Sequence, residues 1–473
     1  MRALRVASLV LWLAAVSGLS ATVARALPVP SGWTVIPLTS TAYDHTEPEI
    51  SAGRVVWLSR DEHDDQVVTW KVGTSSPTTL THDARESDQP RVSGDRVTWI
   101  TSVGAANQVF TWKSGDTTPT QLTVGTASSW NPQVSGDRVV WETPLVPHDR
   151  VFTWKAGDSH PTTIGSDAHD SRVPEVSGDR VAWTGSDGTN DQIFTWKSGD
   201  ATATQLTHDA ALHGNVQIDG DRLAWTGVVG SRGQIFTWKA GDAHPTTVTA
   251  AAQNQDAPQV SGDRLAWVGS DGTYYQVRTW KVGESSPTTV TTGTGSRADV
   301  HVSGDRLVWM APVGADNQIF TWKVGDSSPT TLTADQNSHQ DPRVSGNRVV
   351  WMGYAGDFDD EIYSAAPVCS LTIKTSATSC KIGKQFVLSG LCTPTPGMVG
   401  RMMHVDVKKP GKSYWSYSSN RIVYAGTGGA ASWQYKYTLK AGMAKGTYQF
   451  RAVYAADDWY AGCTSTSVNV VAK

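Results

Sequence analysis

A tryptophan returns every 42 residues without a slip, at Trp57, Trp99, Trp141, Trp183, Trp225, Trp267, Trp309 and Trp351. A second series keeps the same step from Trp70 to Trp322, and an aliphatic column runs from Leu38 through Leu80, Leu122 and Ile164 to Leu332. A fixed period of this length, built from short β-prone runs, marks a repeated unit of four strands. One copy reads as a strand Pro258–Val260, a turn Ser261-Gly262-Asp263-Arg264, and a strand Leu265–Val268. The third strand is clearest at Gln192–Lys197, before the turn Gly199-Asp200, and the fourth at Pro329–Thr333. Val, Ile, Thr, Phe and Trp favour strands, and the Gly-Asp pairs supply turn chemistry. No stretch has a 3.6-residue apolar rhythm, which excludes helical repeats.

Counting strands sets the architecture. The three-strand group occurs eight times and last ends at Ile362-Tyr363, after which the chain runs through Ala365, Ala366 and Pro367 with no fourth strand. The spare fourth strand is at the other end, Val35–Thr39. The expectation is therefore all-β: an eight-bladed β-propeller over residues 27–366, with seven blades as the alternative, closed by the N-terminal strand. The repeated Val-Ser-Gly-Asp-Arg…Ile-Phe-Thr-Trp-Lys pattern resembles the TolB-type and WD-repeat-like propellers. The likeness covers roughly residues 34–364 and implies their fold. Ser-Gly-Asp-Arg stands where those blades commonly have Ser-Pro-Asp-Gly, so TolB's partner binding is not carried over.

The two ends differ from the repeat. Residues 1–26 read as a signal peptide, with Arg2 and Arg5 before an apolar run Val6–Val16 and a small-x-small site at Ala24-Arg25-Ala26. That run is short for a membrane span. Export follows, to an extracellular or cell-wall location. Residues 367–473 resemble the Ig-like modules of bacterial secreted proteins, on the strands Leu371–Ile373, Gly383–Gly390 and Gly446–Tyr454. This segment holds all four cysteines, Cys369, Cys380, Cys392 and Cys463, read as two disulfides. Three pairings are open. An antiparallel first hairpin would join Cys369 to Cys392 and leave Cys380 for Cys463. The segment is basic and the repeat acidic, which argues against a nucleic-acid partner and suggests contact with an anionic cell wall.

Strand alternation puts the constant turns on one face of the disc and the variable loops on the other. The loops entering each repeat border the central opening and supply the candidate binding residues. These are Asp44, His45, Glu47, Asp88, Trp130, Asp170, Arg172, His213, Asn215, Asp256, Arg297, Asp299, His339 and Asp341. A ring of varied polar groups on a symmetric scaffold is what a binding site needs. A second cluster, Asp61, Asp64 and Asp65 with Asp357, Asp359 and Asp360, is oxygen-rich and suits calcium, although it matches no EF-hand spacing. No other cofactor is expected.

Catalytic motifs are absent: there is no Gly-x-Ser-x-Gly, His-Glu-x-x-His, Walker-type loop or Cys-x-x-Cys. The expected function is a secreted, non-enzymatic binding or scaffold protein whose variable face holds an extracellular protein or glycan. The alternative is a polysaccharide lyase or glycoside hydrolase using the central carboxylates and histidines.

Overall fold

The computed structural model describes residues 29–41, 43–60, 64–354, 359–394, 397–425 and 430–473. The signal-peptide segment lies outside them. No helix long and apolar enough to cross a membrane occurs among the described residues.

Eight four-stranded antiparallel sheets follow one another along the chain. The first comprises His45–Ser51, Arg54–Arg60, Asp65–Lys71 and Thr78–Thr79. The eighth comprises His339–Ser345, Arg348–Tyr354 and Asp360–Pro367, and takes its fourth strand, Trp33–Pro37, from the other end of the chain. Inner strands of successive sheets touch in order, and that of the eighth touches that of the first. The chain folds as a β-propeller. Most outermost strands are shorter than the sequence suggests. Only Thr330–Thr331 of Pro329–Thr333 is strand: Leu332 N–H still bonds the Ile319 carbonyl in register, but the Ile319 N–H donates to the Thr333 hydroxyl at 2.9 Å in place of a backbone carbonyl.

The invariant tryptophans are the seats of the sheets. Trp57 through Trp351 are each at most 1% exposed. Trp141 stacks on its cross-strand partner Phe152 at 6.0 Å, and packs with Ile100 and Val109 of the preceding sheet. One aromatic thus ties two strands and two sheets together.

The constancy of the Ser-Gly-Asp-Arg turn has a physical cause. In the first six sheets the turn arginine is buried and reaches the turn aspartate of the next sheet, as Arg54 to Asp95 at 3.0 Å, Arg138 to Asp179 at 3.0 Å and Arg222 to Asp263 at 2.9 Å. The turn serine of one sheet accepts from the glycine N–H of the next, as Ser93 does from Gly136 at 2.9 Å. Ala52 N–H donating to Ser345 at 3.1 Å carries this series from the eighth sheet back to the first.

The C-terminal unit is two sheets around one core. Gln385–Thr393 and Ala431–Thr438 are central in one, Gly446–Tyr454 and Met402–Lys408 in the other, with Phe386, Leu388, Trp433, Val405 and Phe450 buried between. Cys369 is bonded to Cys463, and neither Cys380 nor Cys392 is in a disulfide. This corrects the expectation of two bridges. The hairpin forms, but Leu371 takes the position opposite Cys392, and Cys380 sits in the other sheet beside Ala472.

Candidate functional site

Every inner strand carries the same β-bulge, two residues facing one on its partner strand. Its first residue has a left-handed backbone in all eight sheets although none is glycine: Glu47, Gln89, Asn131, Val173, Asn215, Ala257, Asp299 and Asp341, with φ between 50° and 53°. Such a conformation costs about 1 kcal/mol per residue and persists only where the surroundings hold it. The repeated bulge sets two tiers of side chains around the propeller axis. The bulge residues form one tier. Two positions later come Glu49, Arg91, Gln133, Glu175, Gln217, Gln259, His301 and Arg343.

The second tier has two unlike halves. Across the closing seam, Arg343 Nε donates to Glu49 Oε1 at 2.9 Å and its Nη1 to Asp299 Oδ2 at 3.2 Å. His301 Nε2 lies 3.1 Å from Asp299 Oδ1, and Arg91 lies 4.0 Å from Glu49. Burial opposes ionisation of Glu49, yet Arg343 and Arg91 together hold its carboxyl below the usual range. Opposite, Glu175 accepts from the amides of Gln133 and Gln217, both at 3.4 Å on the same oxygen. Among the described residues no arginine pairs with it, and burial, only partly opposed by the charge of Arg91, pushes its pKa up to about 7. In the first tier, burial and then the charge of Asp88 push Glu47 to about 7 as well.

The fourteen expected binding residues divide. Glu47, Asn215, Asp299 and Asp341 are bulge residues of the axial site. Asp88 and Asp256 cap the amides of Gln89 and Ala257, both at 2.7 Å. Asp170, Arg172 and His148 form an ion cluster between strand-connecting loops, with Asp149 and Asp191 within 3.8 Å of Arg172. Trp130 packs on the core beneath. The Arg297 guanidinium is spent on carbonyls of its own loop, Thr294 at 2.8 Å and Thr292 at 3.1 Å. Asp44 lies against the Asp360 amide.

The three histidines do not reach the mouth. His45, His213 and His339 are at most 3% exposed and stand inside their sheets. His213 accepts from the indole of Trp225 at 3.1 Å and pairs with Asp209 at 2.9 Å, while His339 pairs with Asp335 at 3.0 Å. The same column holds Ser87, Ser129 and Gln255, which brace the sheet likewise, Gln255 accepting from Trp267 at 2.9 Å. Burial lowers His45 to about 4.

Of the acidic cluster considered for calcium, Asp61 and Asp357 lie outside the described residues. Asp65 is paired with Arg60 at 3.0 Å. Among the described residues no three metal-ligating side chains converge.

The sequence reading missed the second tier. Its signal was present: two residues before each turn's Ser or Asp is an inner-strand position that is polar in every copy, yet changes from copy to copy.

No protein-family profile and no curated protein matches the chain. Solved structures do. A prolyl endopeptidase is 13% identical with a TM-score of 0.49, covering 67% of this chain and 55% of its own. The propeller domain of the Trilobed protease from Pyrococcus furiosus is 8% identical with a TM-score of 0.45, covering 62% of this chain and 96% of its own. TolB from Acinetobacter baumannii is 12% identical with a TM-score of 0.36, covering 66% and 82%. The chain spans about half the length of the prolyl endopeptidase. At these identities the likeness fixes the fold alone. The similar propellers belong mostly to peptidases, which leaves the expected free-standing, non-enzymatic scaffold without support from them.

Proposed function

We propose that this chain is a protease-related propeller, the substrate-handling part of a peptide-cleaving system, and that peptide enters at its axial site. In this reading the eight sheets are eight blades of one closed ring, the C-terminal unit is an Ig-like sandwich, and the protein is exported.

The observation that carries the reading is the composition of the two axial tiers. They combine carboxylates (Glu47, Glu49, Glu175, Asp299, Asp341), guanidiniums (Arg91, Arg343) and side-chain amides (Gln89, Asn131, Gln133, Gln217, Gln259). An extended peptide presents amide donors and acceptors every ~3.3 Å and a charge of each sign at its ends. A lining with both signs and many neutral donor–acceptor groups matches that chemistry. Nucleic acid would require a basic lining.

The test is to incubate the mature protein with a defined peptide pool carrying a photo-reactive phenylalanine analogue, and to map crosslinks by mass spectrometry. Crosslinks confined to the inner strands support axial entry. Crosslinks spread over the outer strands, or none above an albumin control, count against it.

A further inference from the structure

The repeat departs from its own rule at one place, and the C-terminal unit sits there. In six consecutive sheets the buried turn arginine finds the aspartate of the next sheet, from Arg54–Asp95 to Arg264–Asp305. The seventh, Arg306, finds Asn347 at 2.8 Å in place of an aspartate. The eighth, Arg348, faces the first sheet, whose turn reads Ser51-Ala52-Gly53-Arg54 and offers no carboxylate.

The loop Asp457–Tyr460 of the C-terminal unit fills the gap. Arg348 Nη2 and Nε donate to the Asp457 carbonyl at 2.8 and 3.1 Å. The backbone amides of Asn347 and Arg348 donate to the Asp458 carbonyl at 2.8 and 2.7 Å. Ser345 Oγ donates to Asp458 Oδ2 at 3.1 Å. The Asp457 carboxylate shapes the loop by accepting from the Trp459 and Tyr460 amides at 2.8 and 2.9 Å. Ala461 N–H bonds the Pro367 carbonyl, and the Cys369–Cys463 disulfide ties the loop's base to the strand leaving the propeller.

The seam is also shaped for this occupant. A Cβ on the turn glycines Gly94, Gly136, Gly178, Gly220, Gly262 or Gly304 would meet nothing within 4 Å. One on Gly346 would lie 2.9 Å from the Asp458 carbonyl oxygen, and one on Gly53 2.9 Å from Asp458 Oδ1. Asn347 is 2% exposed, whereas the side chains of its aspartate counterparts are about half exposed, as Asp95 is at 55%. A carboxylate at position 347 would be desolvated by the docked unit, and an amide avoids that cost. Two departures from the repeat, Gly53 and Asn347, thus answer to one contact.

We propose that the closing seam between the eighth and first sheets is a docking surface for this chain's own C-terminal unit, which acts as the clasp of the ring. The test compares Gly346→Ala with Gly304→Ala in the full chain, by hydrogen exchange at the Asn347 and Arg348 amides. The two glycines have matching φ, 61° and 56°, so the backbone cost is shared and only the clash with Asp458 differs. Exchange at least about tenfold faster in Gly346→Ala alone is expected, the signature of a local opening. A second variant, Ala52→Gly with Gly53→Asp, restores the repeat's turn, gives Arg348 a carboxylate and should displace the loop without lowering the propeller's melting temperature. Protection retained at Asn347 and Arg348 in either folded variant, or equal loss in Gly304→Ala, would overturn the proposal.

Discussion

Arg343 of the eighth sheet and Glu49 of the first are joined across the closing seam, Nε to Oε1, at 2.9 Å. The two are 294 residues apart in sequence, and Asp299 of the seventh sheet shares the same guanidinium. The pair therefore reports on ring closure and on the charge state of the axial site at once.

Replacing Arg343 by Met removes the guanidinium that Glu49 and Asp299 share and leaves Glu49 only the more distant Arg91, at 4.0 Å. A loss of roughly 1–3 kcal/mol is expected, reduced from that of a dry ion pair because the groups keep some solvent. Glu49 titrates below its unfolded value, so its contribution is present above the ordinary carboxylate range and fades as pH falls through the folded value. Urea melts at pH 7 and pH 3.5 check this. The Arg343→Met penalty should shrink at the lower pH, and Glu49→Gln in the same chain should recover part of it.

Glu175 behaves in the opposite sense. Its folded value of about 7 lies above the unfolded 4.5, so ionisation costs stability as pH rises from 4.5 to 7 and the cost stays constant above. Glu175→Gln should therefore stabilise the protein by about 1–2 kcal/mol at pH 8 and change little at pH 4. Paired thermal melts at the two pH values decide it. Equal effects at both would mean that the Gln133 and Gln217 amides, and not burial, set the carboxyl's state.

The turn network predicts large costs at residues that look like surface. Arg222→Ala removes a buried guanidinium that bonds Asp263 at 2.9 Å and the Thr237 hydroxyl at 3.4 Å. A loss of about 3 kcal/mol is expected from leaving these partners unmatched. Asp263→Asn should cost less than half of that, because the amide oxygen still accepts, as Asn347 does from Arg306. Chemical denaturation of the two variants measures the ratio.

The cysteines should separate cleanly. Cys463→Ser opens a loop closed over 94 residues and is expected to cost about 2–5 kcal/mol. Cys380→Ser, outside any disulfide, should be near neutral. Peptide mapping without reductant should recover the Cys369–Cys463 bridge, and a Cys380–Cys463 fragment would contradict the fold of the C-terminal unit.

Much of the scaffold was legible because its period is a packing rule. A buried indole every 42 residues leaves few folds open, and the unmatched Val35–Thr39 run pointed to the strand that the structure places at Trp33–Pro37 beside Asp360–Pro367. The site was less legible. His45, His213 and His339 read as mouth residues because they differ between copies, but each braces its own sheet. Glu175 and Arg343 escaped notice because they sit within strands, where polarity reads as a solvent face. Only the bulge, with its left-handed residue, turns that face to the axis, and residues as unlike as Val173 and Asp299 adopt it, so no residue type announces it. The disulfide was misread because the register puts Leu371, two positions on from Cys369, opposite Cys392.

The most direct measurement is peptide affinity by calorimetry for the wild-type protein, the double variant Glu175→Gln with Arg343→Met, and the outer-cluster variant Arg172→Ala. Binding should fall at least about tenfold in the double variant and stay unchanged in Arg172→Ala. Binding that survives the loss of these two axial side chains, and falls with Arg172, would contradict axial entry of the peptide.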